Sequence, residues 1–175
     1  MNSKNLYNGK EFPDYIFTEN VGKHVFFDFD FLFEEPFWKT FKQILIEKRI
    51  EKIVVENIRP EVYFKEEIKV IELPESYTEI ANTERIQDYF SFPASLHMVT
   101  ELALIYPKSD DHKFCMVLNR EFALCIVGFG INEDLNLTNL EMIEDLRGYL
   151  AFLFPIGFPQ EFEYKLASNW LKQMQ

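Results

Sequence analysis

Hydrophobic and polar positions change period several times along this chain, and each change predicts an element. In residues 24–33, HVFFDFDFLF, Asp28 and Asp30 alternate with Phe27, Phe29 and Phe31, the period of a strand. Pro36 then suits a first helical position. Phe37, Phe41, Ile44, Leu45 and Lys48 share one side of a helix near 36–49, with Lys39, Lys42, Gln43 and Glu47 mostly outside. Residues 52–57, KIVVEN, read as a short strand, and 62–63 and 68–73 as further extended pieces, the last stopped by Pro74. Residues 75–93 show no long clean period and predict an irregular connection, in which Asn82 or Thr83 could cap a short helix carrying Ile86, Tyr89 and Phe90.

The best-defined pattern is a meander near 99–129. Its strands are predicted at 99–106, 113–118 and 122–129, separated by Pro107, Ser109 and Asp110 and then by Asn119, Arg120 and Glu121. Leu96, Val99 and Ala103 also have helical spacing, so periodicity leaves 94–103 open between helix and strand. A three-residue turn at 119–121 would set Cys115 opposite Cys125. Thr138 and Glu141 form a capping box before Leu140, Ile143, Leu146, Leu150 and Leu153, predicting a helix at 138–154. Pro159 opens a last helix at 160–174, whose Phe162, Leu166 and Trp170 form a stripe suited to docking on the core. The fold class expected is α+β: one domain over 1–175, a mostly antiparallel central sheet with about three packed helices, and a loose polar lead-in at 1–12.

Composition adds scale and sign. A hydrophobic fraction of 47% in 175 residues supplies a sizeable core, and 19 Phe with 8 Tyr make it a ring-rich one. A net charge of −11 opposes general nucleic-acid binding and attachment to anionic membranes, and it attracts basic partners. The opening MNSKNLYNGKEF lacks an apolar signal core. The longest apolar run, 149–159, is too short to span a bilayer and is broken by Pro155 and Gly157, so a cytoplasmic protein is expected. Cys115 and Cys125 sit in apolar strand-like sequence, which predicts buried, reduced thiols rather than a disulfide framework.

The chemistry-bearing motifs are sparse. Asp28-Phe29-Asp30 after VFF resembles the start of a haloacid-dehalogenase-type phosphatase motif. That resemblance implies Asp28 as nucleophile, Asp30 as acid and base, and Mg²⁺ at the site. Phe31 and Leu32, however, stand where that family places a small glycine and hydroxyl pair, and Asp110-Asp111 lacks a lysine strand to complete a metal site. His24, His97 and His112 form no HxH, HExxH or Cys/His spacing, although His112 lies beside Asp110 and Asp111. There is no GxSxG, and Gly128-Phe129-Gly130 has neither GxGxxG nor a Walker lysine. No catalytic set, cofactor or metal is therefore expected.

Acidic pairs recur instead, at Glu34-Glu35, Glu66-Glu67, Asp110-Asp111, Glu133-Asp134 and Glu144-Asp145. The order of elements, with MVLNREFALCIVGFG after an acidic turn and a Tyr-Pro strand end, resembles immunity proteins of bacterial contact-dependent and other polymorphic toxin systems. The resemblance implies stoichiometric binding of a cognate toxin domain, often a nuclease, with neither nucleic acid nor membrane as direct partner. Asp110, Asp111, Glu133 and Asp134 are the expected steering and pairing groups toward that basic toxin. An acidic DNA mimic would carry longer continuous acidic tracts, and a scaffold domain is the remaining alternative.

Overall fold

A computed structural model describes residues 3–59, 65–73, 101–137 and 139–171. It is an α+β domain built on one six-stranded sheet. The strands are β1 (Lys23–Asp28), β2 (Lys52–Arg59), β3 (Lys65–Lys69), β4 (Leu102–Pro107), β5 (Phe114–Asn119) and β6 (Leu124–Phe129). Their order is β1-β6-β5-β4-β2-β3 and every pairing is antiparallel. The predicted meander is thus the centre of the sheet. Its strands are buried almost throughout, because both faces of the sheet are covered.

Helix α1 (Glu35–Glu47) covers one face. Phe37, Phe41, Ile44 and Leu45 press onto Ile53, Ile105 and Met116, as the spacing predicts, and Trp38 joins them. The other face carries α2 (Leu146–Leu153), α3 (Gln160–Asn169) and the N-terminal segment. Residues 3–12 are accordingly no loose lead-in, since Leu6, Tyr7 and Phe12 are buried on Leu104, Val117 and their neighbours. The close approach of this segment explains one glycine: a Cβ at Gly128 would lie 2.5 Å from the Phe17 ring and 2.7 Å from Val21.

Three boundaries differ from expectation for local reasons. The strand expected over 24–33 ends at Asp28, whose Oδ1 accepts a hydrogen bond from the Asp30 backbone N–H at 2.7 Å; this Asx turn leads into a 3₁₀ turn, Asp30–Phe33. Strand β3 ends at Lys69, and a 3₁₀ turn, Val70–Glu72, carries the chain onward with Ile68, Val70 and Leu73 buried. The β5–β6 turn is residues 120–123, not 119–121, because Asn119 is the last strand residue and its Oδ1 accepts from Phe122 N–H at 3.2 Å, with Ala123 at φ 50°. Cys115 therefore faces Gly128 across the ladder and Cys125 faces Leu118, placing the thiols on opposite faces of the sheet.

The largest correction concerns the helix expected at 138–154. It begins only at Leu146, capped by Asp145, whose carboxylate accepts from Gly148 N–H at 2.9 Å. Leu135, Leu137 and Leu140 are buried on the α1 face, whereas Leu146 and Leu150 are buried on the other. The chain between them must pass around the edge of the sheet, and Ile143 N–H donates to Phe26 O at 2.8 Å along β1 as it does so. No single helix could bury both leucine sets. The predictions at 62–63, 75–93 and 94–100 and the cap at Thr138 lie outside the described residues, while Leu102 and Ala103 are strand.

Candidate functional site

The four expected partner-binding carboxylates gather at one end of the sheet, in the β4–β5 loop and the segment after β6. Asp110, Asp111 and Asp134 are exposed there. Asp111 is held by the Ser109 hydroxyl at 2.7 Å, and Asp134 accepts from the Asn136 N–H at 2.9 Å. Glu133 is different. Its Oε2 lies 3.2 Å from Lys48 Nζ, while Oε1 accepts from Lys113 N–H at 3.2 Å and lies 3.7 Å from His112 Nδ1. With a side-chain exposure of only 17%, Glu133 ties the two loops to the end of α1 rather than standing out to solvent. The loops do converge, but lysines interleave with their carboxylates.

At the opposite end, the charged side chains that line one cleft are all carboxylates among the described residues. The turn after β1 and the segment crossing the sheet edge enclose an open cleft of about 460 Å³, lined by Asp28, Asp30, Glu34 and Glu141 with Phe31, Met142 and Ile143. The Asx turn throws Asp30 and Glu34 forward, and the Ile143–Phe26 bond brings Glu141 alongside. Asp28 Oδ2 accepts from the Tyr149 hydroxyl at 2.7 Å, and that hydroxyl also lies 2.8 Å from Ala123 O. Burial, the bond to Asp28 and the charges of Asp28 and Asp30 push the Tyr149 phenol well above its ordinary range, so it stays a neutral donor. Both Asp28 oxygens thus accept hydrogen bonds from the fold itself.

Among the described residues, no three His, Cys, Asp or Glu side chains converge on a point where a metal could sit. The cleft carboxylates instead border an apolar floor. Such an arrangement suits long cationic side chains, whose stems lie on the floor while their heads meet the rim.

At the same end of the sheet, toward its other edge, lies an ionic clamp. Arg59 Nη1, Nε and Nη2 meet Glu11, Glu101 and Glu121 at 3.0, 3.0 and 3.2 Å, joining the N-terminal segment, β2, the start of β4 and the β5–β6 turn. Its charge is spent on internal partners.

A buried polar cluster lies under the N-terminal segment. Glu56 Oε2 accepts from the Tyr106 hydroxyl at 2.5 Å and from Lys65 Nζ at 3.0 Å. Burial opposes ionisation of Glu56, but the hydrogen bonds from Tyr106 and Lys65 and the Lys65 charge outweigh it and hold the carboxyl below its usual range. Glu56→Ala leaves the buried Tyr106 hydroxyl without this acceptor and is expected to cost about 1–3 kcal/mol in urea unfolding. The double variant with Tyr106→Phe should recover part of that loss. Strict additivity of the two changes would show that the pair is not coupled.

The remaining nucleophile candidates are sequestered. Burial pushes both Cys115 and Cys125 thiols far up, so they stay protonated. Burial also lowers the His24 pKa to about 4 among Tyr15, Phe26 and Trp170. His97 lies outside the described residues.

Sequence inspection picks out Asp28, Asp30, Glu34 and Glu141 only singly, as a phosphatase motif, an acidic pair and a capping box. Their convergence depends on the chain crossing the β1 edge, which no local pattern announces. No family model, curated protein or solved structure matches this chain. Among the described residues, no helix is long and apolar enough to cross a membrane.

Proposed function

We propose that this protein acts by stoichiometric binding of a basic protein partner, in the manner of an immunity protein that neutralises a bacterial toxin. The observation that carries this reading is the open cleft with Asp28, Asp30, Glu34 and Glu141 around an apolar floor. A toxin nuclease suits the charge, because such a domain is basic where it holds phosphate. The net charge of −11 adds long-range steering toward it.

The test is binding kinetics against the purified product of the adjacent gene, with growth rescue on co-expression. The double variant Asp30→Lys/Glu141→Lys is expected to lower the association rate about tenfold at low salt and to flatten its salt dependence. Asp110→Lys/Asp134→Lys, at the far end of the sheet, serves as the comparison. If the far-end pair slows association and the cleft pair does not, the interface lies at the loops first read from the sequence. Rescue with neither pair mattering would retain the binder and discard both surfaces.

One observation favours a second reading: Asp28 and Asp30, the aspartates of the phosphatase-like motif, line the same cleft. That reading requires Mg²⁺-dependent hydrolysis of p-nitrophenyl phosphate that disappears in Asp28→Asn.

A further inference from the structure

The connection from α2 to α3 is strongly apolar, and its rings divide between two directions. Phe154 and Phe158 turn inward. Phe154 lies 6.0 Å from the Phe122 ring and 5.1 Å from Phe158, which stacks on Phe162 at 4.1 Å. Phe152 and Ile156 turn outward, with exposures of 82% and 101%, and Leu153 beside them is 36% exposed. The projection is therefore a ridge on a packed aromatic base. Its apolar groups are held in place rather than waving on a loose loop, which lowers the ordering cost of any contact they make.

The ridge continues into the acidic cleft. Tyr149, whose hydroxyl reaches Asp28, precedes Phe152 and Leu153 by one helical turn, so all three are neighbours on the α2 surface. The surrounding charge selects what can cover it. Residues 141–165 carry Glu141, Glu144, Asp145, Glu161 and Glu163 against only Arg147 and Lys165. Both cations are already paired, Arg147 with Glu163 at 3.5 Å and Lys165 with Asp14 and Glu161 at 3.1 and 3.3 Å. A second copy of this chain would bring the same negative rim against itself, and an anionic lipid surface would be repelled. A cationic protein surface meets neither obstacle.

We infer that Phe152, Leu153 and Ile156 form the apolar anchor of the binding surface, seated in an apolar pocket of a protein partner whose rim of Lys and Arg enters the acidic cleft. This inference rests on the basic-partner reading above and deepens it: the cleft governs how fast the partner arrives, and the ridge how long it stays.

The experiment uses defined probes on the full chain. Three amphipathic peptides of equal length are titrated: a Leu/Trp face with a Lys rim, the same face with a Glu rim, and a Ser face with a Lys rim. Backbone amide shifts locate any binding. The apolar Lys-rim peptide is expected to bind saturably, shifting residues in 141–156, and Phe152→Ser/Ile156→Ser should weaken it at least tenfold. Both side chains are exposed, so the variant should keep its unfolding midpoint, and that midpoint is measured alongside.

Equal binding to wild type and variant overturns the ridge as anchor while leaving the basic-partner reading intact. Equal binding of the Glu-rim peptide overturns the charge argument, and no binding of either Lys-rim peptide counts against both readings. Partition onto phosphatidylcholine/phosphatidylglycerol vesicles, or concentration-dependent dimerisation abolished by the same double substitution, assigns the ridge to another occupant and overturns the inference.

Discussion

Trp170→Ala is expected to lower the free energy of unfolding by about 3–5 kcal/mol, the range for removing a large buried ring. Trp170 is fully buried although it lies just past the end of α3. Its ring lies 5.7 Å from Phe12, 5.2 Å from Tyr15, 6.2 Å from Phe17, 5.0 Å from His24 and 5.5 Å from Phe26. It therefore joins the C-terminal helix, the N-terminal segment and β1 at one point. Its Nε1–H also donates to Pro13 O at 3.0 Å, so truncation leaves a cavity and removes a hydrogen bond from the same carbonyl that Asn169 reaches.

Against a domain stability of about 5–15 kcal/mol, this loss is a large fraction. With an unfolding slope of about 2 kcal/mol/M, the urea midpoint should fall by about 2 M. Trp170→Phe keeps most of the ring contacts, loses the Pro13 bond and should cost about 1 kcal/mol from that bond. A Trp170→Ala loss below that of Trp170→Phe would falsify the view that this ring holds the second layer on the sheet.

The legible parts of the fold are those in which one element faces one layer. Strands β4, β5 and β6 read from continuous apolar runs between clear breakers, and α1 reads from Pro36 and the spacing of Phe37, Phe41 and Leu45. The illegible parts are those in which the chain changes layer. Leu140, Ile143, Leu146 and Leu150 have helical spacing, yet Leu140 belongs to the core under α1 and Leu146 to the core on the opposite face. Periodicity records spacing along the chain and carries no information about which face of a distant sheet each residue meets.

The lead-in is a second case. Leu6, Tyr7 and Phe12 are scattered among polar residues, and their burial depends on an open sheet face that other segments create. The candidate site combines both difficulties, because Asp28 and Asp30 meet Glu141 only after the chain has crossed the β1 edge. The ridge was visible as an apolar stretch at 149–159, but the alternation of inward Phe154 and Phe158 with outward Phe152 and Ile156 needs the aromatic base to define it.

Mild acid should destabilise the protein through His24. His24 sits on edge strand β1 with its ring against Tyr15, Phe26 and Trp170, and its Nδ1 is buried with no hydrogen-bond partner among the described residues. Burial lowers its pKa from 6.5 to about 4, so the folded state holds it neutral while the unfolded chain binds a proton. The contribution is complete above the unfolded value and is lost as the pH falls from about 6.5 toward 4, which corresponds to about 2 kcal/mol between pH 7 and pH 5.

Glu56 contributes with a separate window. Its folded pKa is depressed below 4.5, so its stabilisation is present above that value and is lost only at lower pH. Between pH 7 and pH 5 the two are distinguishable. His24→Phe keeps an aromatic ring in the cluster and removes the titration, and its urea-derived stability should be nearly level over that interval while the wild type declines. A wild-type slope that survives the substitution would place the titrating group elsewhere, whereas its disappearance ties acid sensitivity to the joint where β1 meets the C-terminal tryptophan. That joint lies on the same layer as α2 and α3, so loosening it also loosens the base beneath the Phe152–Ile156 ridge, and acid should weaken partner retention in parallel with stability.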